Sequence, residues 1–253
     1  MSEYNNFDYI EKNLDDIRGK INKAVLNRDN NIDTGSKFKN KKVRLMAVTK
    51  TVDTNRINFA VSKGVDLIGE NKVNELLEKY DKLNKENLDI HFIGNLQTNK
   101  VKYIIDKVNM IQSVNSIKLA EEINKRASQK NIVMNVLVEL NIGGEDSKIG
   151  LAPENAAEFM NKLKDFENIR VKGLMTIPPA DASFGIKSEN GENSEIKKYF
   201  QKMYKIFVDI SDKKIDNINM EILSMGMSED YEEAILCGSD MVRVGRAVFG
   251  ERK

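Results

Sequence analysis

The sequence predicts an α/β protein: a single-domain (β/α)8 barrel, residues 1–253, preceded by an extra helix. Three observations lead there. Eight short apolar runs alternate with helical apolar stripes, and strict alternation implies parallel strands joined by helical crossovers. Eight such units in 253 residues match the barrel in number and size. No Gly-x-Gly-x-x-Gly follows the first strand, which counts against the doubly wound open sheet, the other fold this alternation allows.

The elements follow in order. Ile10, Leu14, Ile17 and Ile21 form one apolar stripe within residues 4–25, the leading helix. The polar stretch from Asp29 to Lys42, with Asp33-Thr34-Gly35-Ser36, reads as a loop. Leu45 to Val48 is a short apolar run flanked by charges and leading to Lys50, as expected of a strand buried on both faces. Asp53-Thr54 offers an N-cap for a helix carrying Ile57, Ala60 and Val61, and Gly64 closes it.

The rhythm then repeats. Val65–Glu70, Ile90–Gly94, Met110–Val114, Ile132–Leu140, Val171–Ile177 and Met220–Met225 are runs, each followed by a stripe such as Val73, Leu76, Leu77 and Tyr80. Met241–Val244 is the last run, followed only by a helical stub. Residues 180–195 form a polar insertion, read as a flexible loop.

Composition excludes several classes. The net charge of +1 with both signs interspersed gives no electrostatic case for nucleic acid or an anionic membrane. No apolar run approaches the roughly 18 residues of a membrane span. Met1-Ser2-Glu3-Tyr4-Asn5 lacks the features of a signal peptide. The single Cys237 can form neither an internal disulfide nor a two-thiol metal site. A cytoplasmic protein with no metal site is expected.

In a barrel, chemistry gathers at the carboxyl ends of the strands. Lys50 is the one lysine closing a run. On its strand alone it is a solvated lysine, a paired one, or an amine nucleophile. The turns Ser224-Met225-Gly226-Met227-Ser228 and Val244-Gly245-Arg246 follow the last two strands, where barrels recurrently bind phosphate. Glycine there lets backbone N–H groups approach an anion, although each glycine also suits an ordinary tight turn. A lysine nucleophile facing a phosphate turn suggests pyridoxal phosphate chemistry or a Schiff-base aldolase. Arg243 can project beside the phosphate turn toward a pyridine nitrogen, or else pair with Glu70 or Glu139.

Several motifs then coincide in order. They include Ala47-Val48-Thr49-Lys50-Thr51, Gly69-Glu70-Asn71-Lys72-Val73-Asn74-Glu75 and His91 through Lys100. Further on come Gly173-Leu174-Met175-Thr176-Ile177-Pro178-Pro179, Leu223 through Ser228 and Val242 through Gly250. From near residue 10 to Arg252 the chain resembles the pyridoxal phosphate homeostasis proteins, relatives of the alanine racemase N-terminal barrel (PLP fold type III).

The resemblance implies pyridoxal 5′-phosphate as cofactor, carried as a Schiff base on Lys50, with Arg243 facing the ring nitrogen. It also implies phosphate contacts from Ser224, Ser228 and the Gly245-Arg246 backbone within the turn that holds Met225 and Gly226, and Asn71 near the cofactor. Arg246 departs from the family's usual threonine, which puts only a side-chain contact in question.

An arginine at the ring nitrogen cannot accept a proton, so the electron sink it faces is weak. Racemases of this barrel type share that feature and draw a second acid/base from a partner subunit, held by an added β-domain. The chain ends directly after the eighth strand, so a carrier without robust catalysis is expected. It would be a monomer, with apo forms of pyridoxal phosphate enzymes as partners. A weak amino-acid racemase is the alternative. The aldolase reading is disfavoured because the sixth strand ends on Met175-Thr176 rather than a lysine. His91, at the start of the third strand, is expected to pack in the core or at the bottom face of the barrel.

Overall fold

The computed structural model describes residues 7–31, 39–144, 149–179, 182 and 194–251. All eight expected strands form, and they close into a parallel barrel in chain order. They are β1 (Arg44–Val48), β2 (Leu67–Glu70), β3 (Asp89–Phe92), β4 (Met110–Val114), β5 (Met134–Leu140), β6 (Ile169–Thr176), β7 (Ile218–Ser224) and β8 (Met241–Val244). The barrel closes where β8 pairs with β1, Met46 opposite Arg243 and Ala47 opposite Val244.

The helices of the wall are α2 (Thr54–Ser62), α3 (Val73–Tyr80), α4 (Val101–Ile104), α5 (Ile117–Gln129), α6 (Ala156–Leu163), α7 (Ser194–Asp212), α8 (Tyr231–Leu236) and α9 (Arg246–Phe249). Asp53 caps α2 as expected, accepting from the Arg56 N–H at 3.0 Å. The insertion at 180–195 lies outside the described residues apart from Ala182, which is buried, and its last two residues, which open α7.

The leading helix α1 spans Asp8–Asn31, ending six residues beyond the expected end at residue 25. Ala24 continues the buried face. Arg28 then turns its guanidinium inward, to Asp29 at 2.9 Å and the Lys41 carbonyl at 2.7 Å. That tie to the approach of β1 keeps polar residues 29–31 helical. The motif at Asp33–Ser36 lies outside the described residues. The helix packs across α8 and α9 at the side where the barrel closes.

Inside the barrel, alternate residues of each strand face inward. Met46, Val48, Leu67, Ile93 and Met241 form one apolar cluster, and Met110, Leu137 and Met175 another, with Ile222 joining both. Gly173, at φ +145°, sits in the bulge that shifts register between β6 and β7, where a Cβ would lie 1.9 Å from the Ile222 carbonyl.

Candidate functional site

A polar chain runs through this interior. The lone histidine, His91, is buried, and its Nδ1 lies 2.9 Å from Gln112 Nε2. Burial, with the charge of Arg44, holds His91 down to about 3, so it is neutral. Gln112 then donates through Nε2, and its Oε1 accepts from the Ser224 hydroxyl at 2.8 Å. Ser224 in turn accepts from Arg243 Nη1 at 2.8 Å, and Arg243 Nη2 donates to the Thr176 carbonyl at 2.8 Å. Four strands thereby aim one guanidinium at the carboxyl end of the barrel.

Arg243 is 3% exposed and both its side-chain bonds go to neutral oxygens. Burial pushes it down to about 10, against the pull of Asp230 and Glu139, so it stays charged at neutral pH. Neither carboxylate alternative weighed for it forms a direct ion pair: Glu70 faces the opposite way, toward Lys79 at 2.8 Å.

Above Arg243 opens a pocket of about 510 Å³ lined by Lys50, Asn71, Ile177, Ser228, Arg243, Gly245 and Arg246 among others. Residue parity at the strand ends builds it. Beyond β1, Thr49 turns into the wall and Lys50 into the pocket; at the end of β2, Glu70 turns out and Asn71 in. The Asn71 amide oxygen is buried without a hydrogen-bond partner, and such a group ordinarily has one. Gly245 packs against the end of β1, where a Cβ would stand 3.3 Å from the Val48 carbonyl. The Ser228 hydroxyl faces the same turn and accepts from the Ala247 N–H at 3.5 Å. Arg246 pairs with Glu229 at 3.2 Å. A second cavity, of about 500 Å³, shares Lys50, Gly245 and Arg246 and extends past Arg56 to Tyr9 and Phe249.

Six of the expected site residues therefore meet in one pocket: Lys50, Asn71, Ser228, Arg243, Gly245 and Arg246. Three do not line it. Ser224 lies below the mouth, fully buried, its hydroxyl accepting from Arg243 and donating to Gln112, a placement that holds Arg243. Met225 turns into the outer core, and its N–H donates to the Met241 carbonyl at 3.2 Å. Gly226 has φ +93° and a Cβ there would lie 2.6 Å from Ala234 Cβ, so it brings the turn against α8. Its carbonyl accepts from the Arg243 N–H at 3.0 Å.

Sequence reasoning missed three groups. Gln112 gave no signal beyond being a polar residue inside an apolar strand. Lys79 and Glu75 are a four-residue helical pair, a legible spacing whose importance depends on where α3 lands. Glu139 was seen only as a partner for Arg243. It is buried, and burial pushes it up to about 7 against the attraction of Arg243.

Glu139 makes stability depend on pH. Its folded value lies above the unfolded one, so the folded chain binds the extra proton. Stability from this group is present below the unfolded value of 4.5 and is lost as pH rises through about 7. Glu139→Gln should therefore be more stable than wild type by up to about 3 kcal/mol near pH 8, and equal to it below about pH 4. Urea unfolding at the two pH values tests this; an equal difference at both would refute it.

Among the described residues no group of His, Cys, Asp and Glu is arranged to hold a metal ion. Nor is any helix there long and apolar enough to cross a membrane.

Comparison with known proteins places these features in context. Residues 27–253 match the family model for the alanine racemase N-terminal domain. A pyridoxal phosphate homeostasis protein of Aquifex aeolicus is 43% identical over 210 residues, covering 83% of this chain and 87% of that one. A crystal structure of an unknown protein from Bifidobacterium adolescentis superposes with TM-score 0.82 at 32% identity, over 98% of this chain and 97% of that one. The structure of PipY from Synechococcus elongatus with PLP bound shares the fold at TM-score 0.76 and 24% identity, over 95% of this chain and 100% of that one.

Proposed function

The chain belongs to the family of pyridoxal phosphate homeostasis proteins, and from that premise we propose that it binds pyridoxal 5′-phosphate at the barrel mouth as a Schiff base on Lys50. Its role is to bind, buffer or deliver the cofactor inside the cell, without robust catalysis. The observation that carries this reading is one pocket in which Lys50 shares walls with Arg243, Asn71 and the turn of Ser228, Gly245 and Arg246.

The residues fit the group. Lys50 supplies an amine for the aldehyde. Ser228 and the backbone of Gly245 and Arg246 face the phosphate, and the unpartnered Asn71 amide oxygen offers a polar contact for the ring. Arg243 supports the ring nitrogen by donating to it. Pyridoxal phosphate supplies an electron sink, strongest when that nitrogen is protonated; a charged arginine has no proton acceptor to offer there. The pocket's other titratable side chains are Glu229, Asp230 and Glu251. Glu229 pairs with Arg246 and Asp230 accepts from the Met227 N–H at 2.6 Å. Tyr9, in the adjoining cavity, donates to the Phe249 carbonyl at 3.3 Å. These commitments favour a carrier over a racemase. Delivery to apo enzymes, a monomeric state and a cytoplasmic location belong to the same reading.

The test is direct. Wild-type protein mixed with pyridoxal phosphate should turn yellow, bleach with borohydride, and yield a single modified peptide containing Lys50 by mass spectrometry. A protein that stays colourless, or an adduct mapped to another lysine, overturns the proposal.

A further inference from the structure

Lys50 stands between two anchored peptides. On its amino side, the Thr49 carbonyl accepts from Lys79 Nζ at 2.8 Å, and the Thr49 hydroxyl donates to Glu70 Oε1 at 2.6 Å. On its carboxyl side, the Thr51 N–H donates to Glu75 Oε1. Lys79 joins the two anchors, donating to Glu70 at 2.8 Å and to Glu75 at 2.6 Å. The inner part of the cluster is enclosed, with Glu70 1% exposed and Lys79 9%, while Glu75 is partly buried.

The same place carries backbone strain. Thr51 has φ +63°, a region that a β-branched residue occupies only when its surroundings impose it. Its side chain is exposed and adds no packing that would hold it there. What holds it is the bond from its own N–H to Glu75, which bends the chain sharply just after Lys50. A buried lysine with two carboxylates is also a weak device for stability, since desolvation offsets most of the attraction. Its placement around one residue points instead to geometry.

We propose that Lys79, Glu70 and Glu75 are positioning residues for Lys50: they grip the peptides on both sides of it and present its amine to the barrel mouth. This rests on the reading of Lys50 as the Schiff-base lysine. The clamp touches neither the ring nor the phosphate, so it acts on bond formation with the aldehyde and leaves the rest of the pocket intact.

Two ligands separate these effects. Pyridoxal phosphate can bond to Lys50; pyridoxine phosphate, with an alcohol in place of the aldehyde, can only occupy the pocket. The variants are Lys79→Met, which keeps the aliphatic stem, and Glu75→Ala, which leaves the Lys79–Glu70 pair in place should the first fail to fold. Glu75→Gln restores an acceptor for the Thr51 N–H and serves as the conservative rescue.

In folded variants, judged by circular dichroism, the rate of Schiff-base formation should fall by at least about tenfold. Affinity for pyridoxine phosphate should stay within about twofold of wild type, and Glu75→Gln should recover most of the rate. Unchanged Schiff-base formation in a folded variant overturns the proposal. So does an equal loss of both ligands, which would mean a general structural role. Wild-type protein that binds pyridoxine phosphate yet forms no Schiff base overturns the parent reading instead.

Discussion

A Lys50→Ala variant is expected to fold normally and to lose all borohydride-stable labelling by pyridoxal phosphate. Lys50 lies beyond the last paired residue of β1 and is only partly buried. The interior clusters are built from Met46 and Val48 on that strand, not from it. Removing a partly buried side chain at such a place typically changes stability by less than about 1 kcal/mol. The covalent bond, in contrast, has no substitute amine in the mouth: among the described residues lining that pocket, Lys50 is the sole lysine. Phosphate and ring contacts remain, so weak reversible binding should persist. Intact mass after reduction decides the matter. An adduct of unchanged yield in the variant would show that another amine carries the cofactor.

The second large effect is expected at Gly94, just past β3. A Cβ there would lie 2.0 Å from the Asn71 carbonyl oxygen and 2.7 Å from Asn71 Cα. These are backbone atoms, so no rotamer change relieves the overlap; either β3 or the end of β2 must move. Overpacking of this kind costs about 2–4 kcal/mol. The displaced residue is Asn71, whose side chain enters the pocket. Gly94→Ala should therefore lower the urea midpoint and also weaken pyridoxal phosphate binding by about tenfold or more. A variant with wild-type affinity would show that Asn71 is not part of the site, whatever its stability.

How much of this was legible beforehand depended on the kind of interaction. The eight strands were, because a strand buried on both faces carries a continuous apolar run that needs no tertiary information. The position of Lys50 and the late glycine turns followed from counting those runs. The depth of a residue inside the barrel did not. Ser224 ends its strand just as Lys50 follows its own, but Ser224 pairs opposite Met241, one layer below Arg243. Its hydroxyl therefore meets the Arg243 guanidinium. Met225, its neighbour, pointed the other way by parity alone. The full length of α1 was hidden for a related reason: residues 29–31 are polar, and the Arg28–Lys41 contact that keeps them helical joins segments 13 residues apart. The clamp around Lys50 likewise required α3 to lie against the ends of two strands.

One contact of the leading helix has a wider reach. Tyr9 and Asn13 donate to the carbonyls of Phe249 and Val248, at 3.3 and 3.1 Å, which are the end of the short helix that begins at the turn of Gly245 and Arg246. These two bonds tie the first turns of α1 to the helix that starts at that turn. By thermodynamic linkage, a ligand bound at the turn of Gly245 and Arg246 would disfavour the fraying of α1, and whatever pulls α1 away would weaken the affinity for that ligand by the same factor. Displacing the outer helix would therefore loosen a bound ligand without any contact inside the barrel.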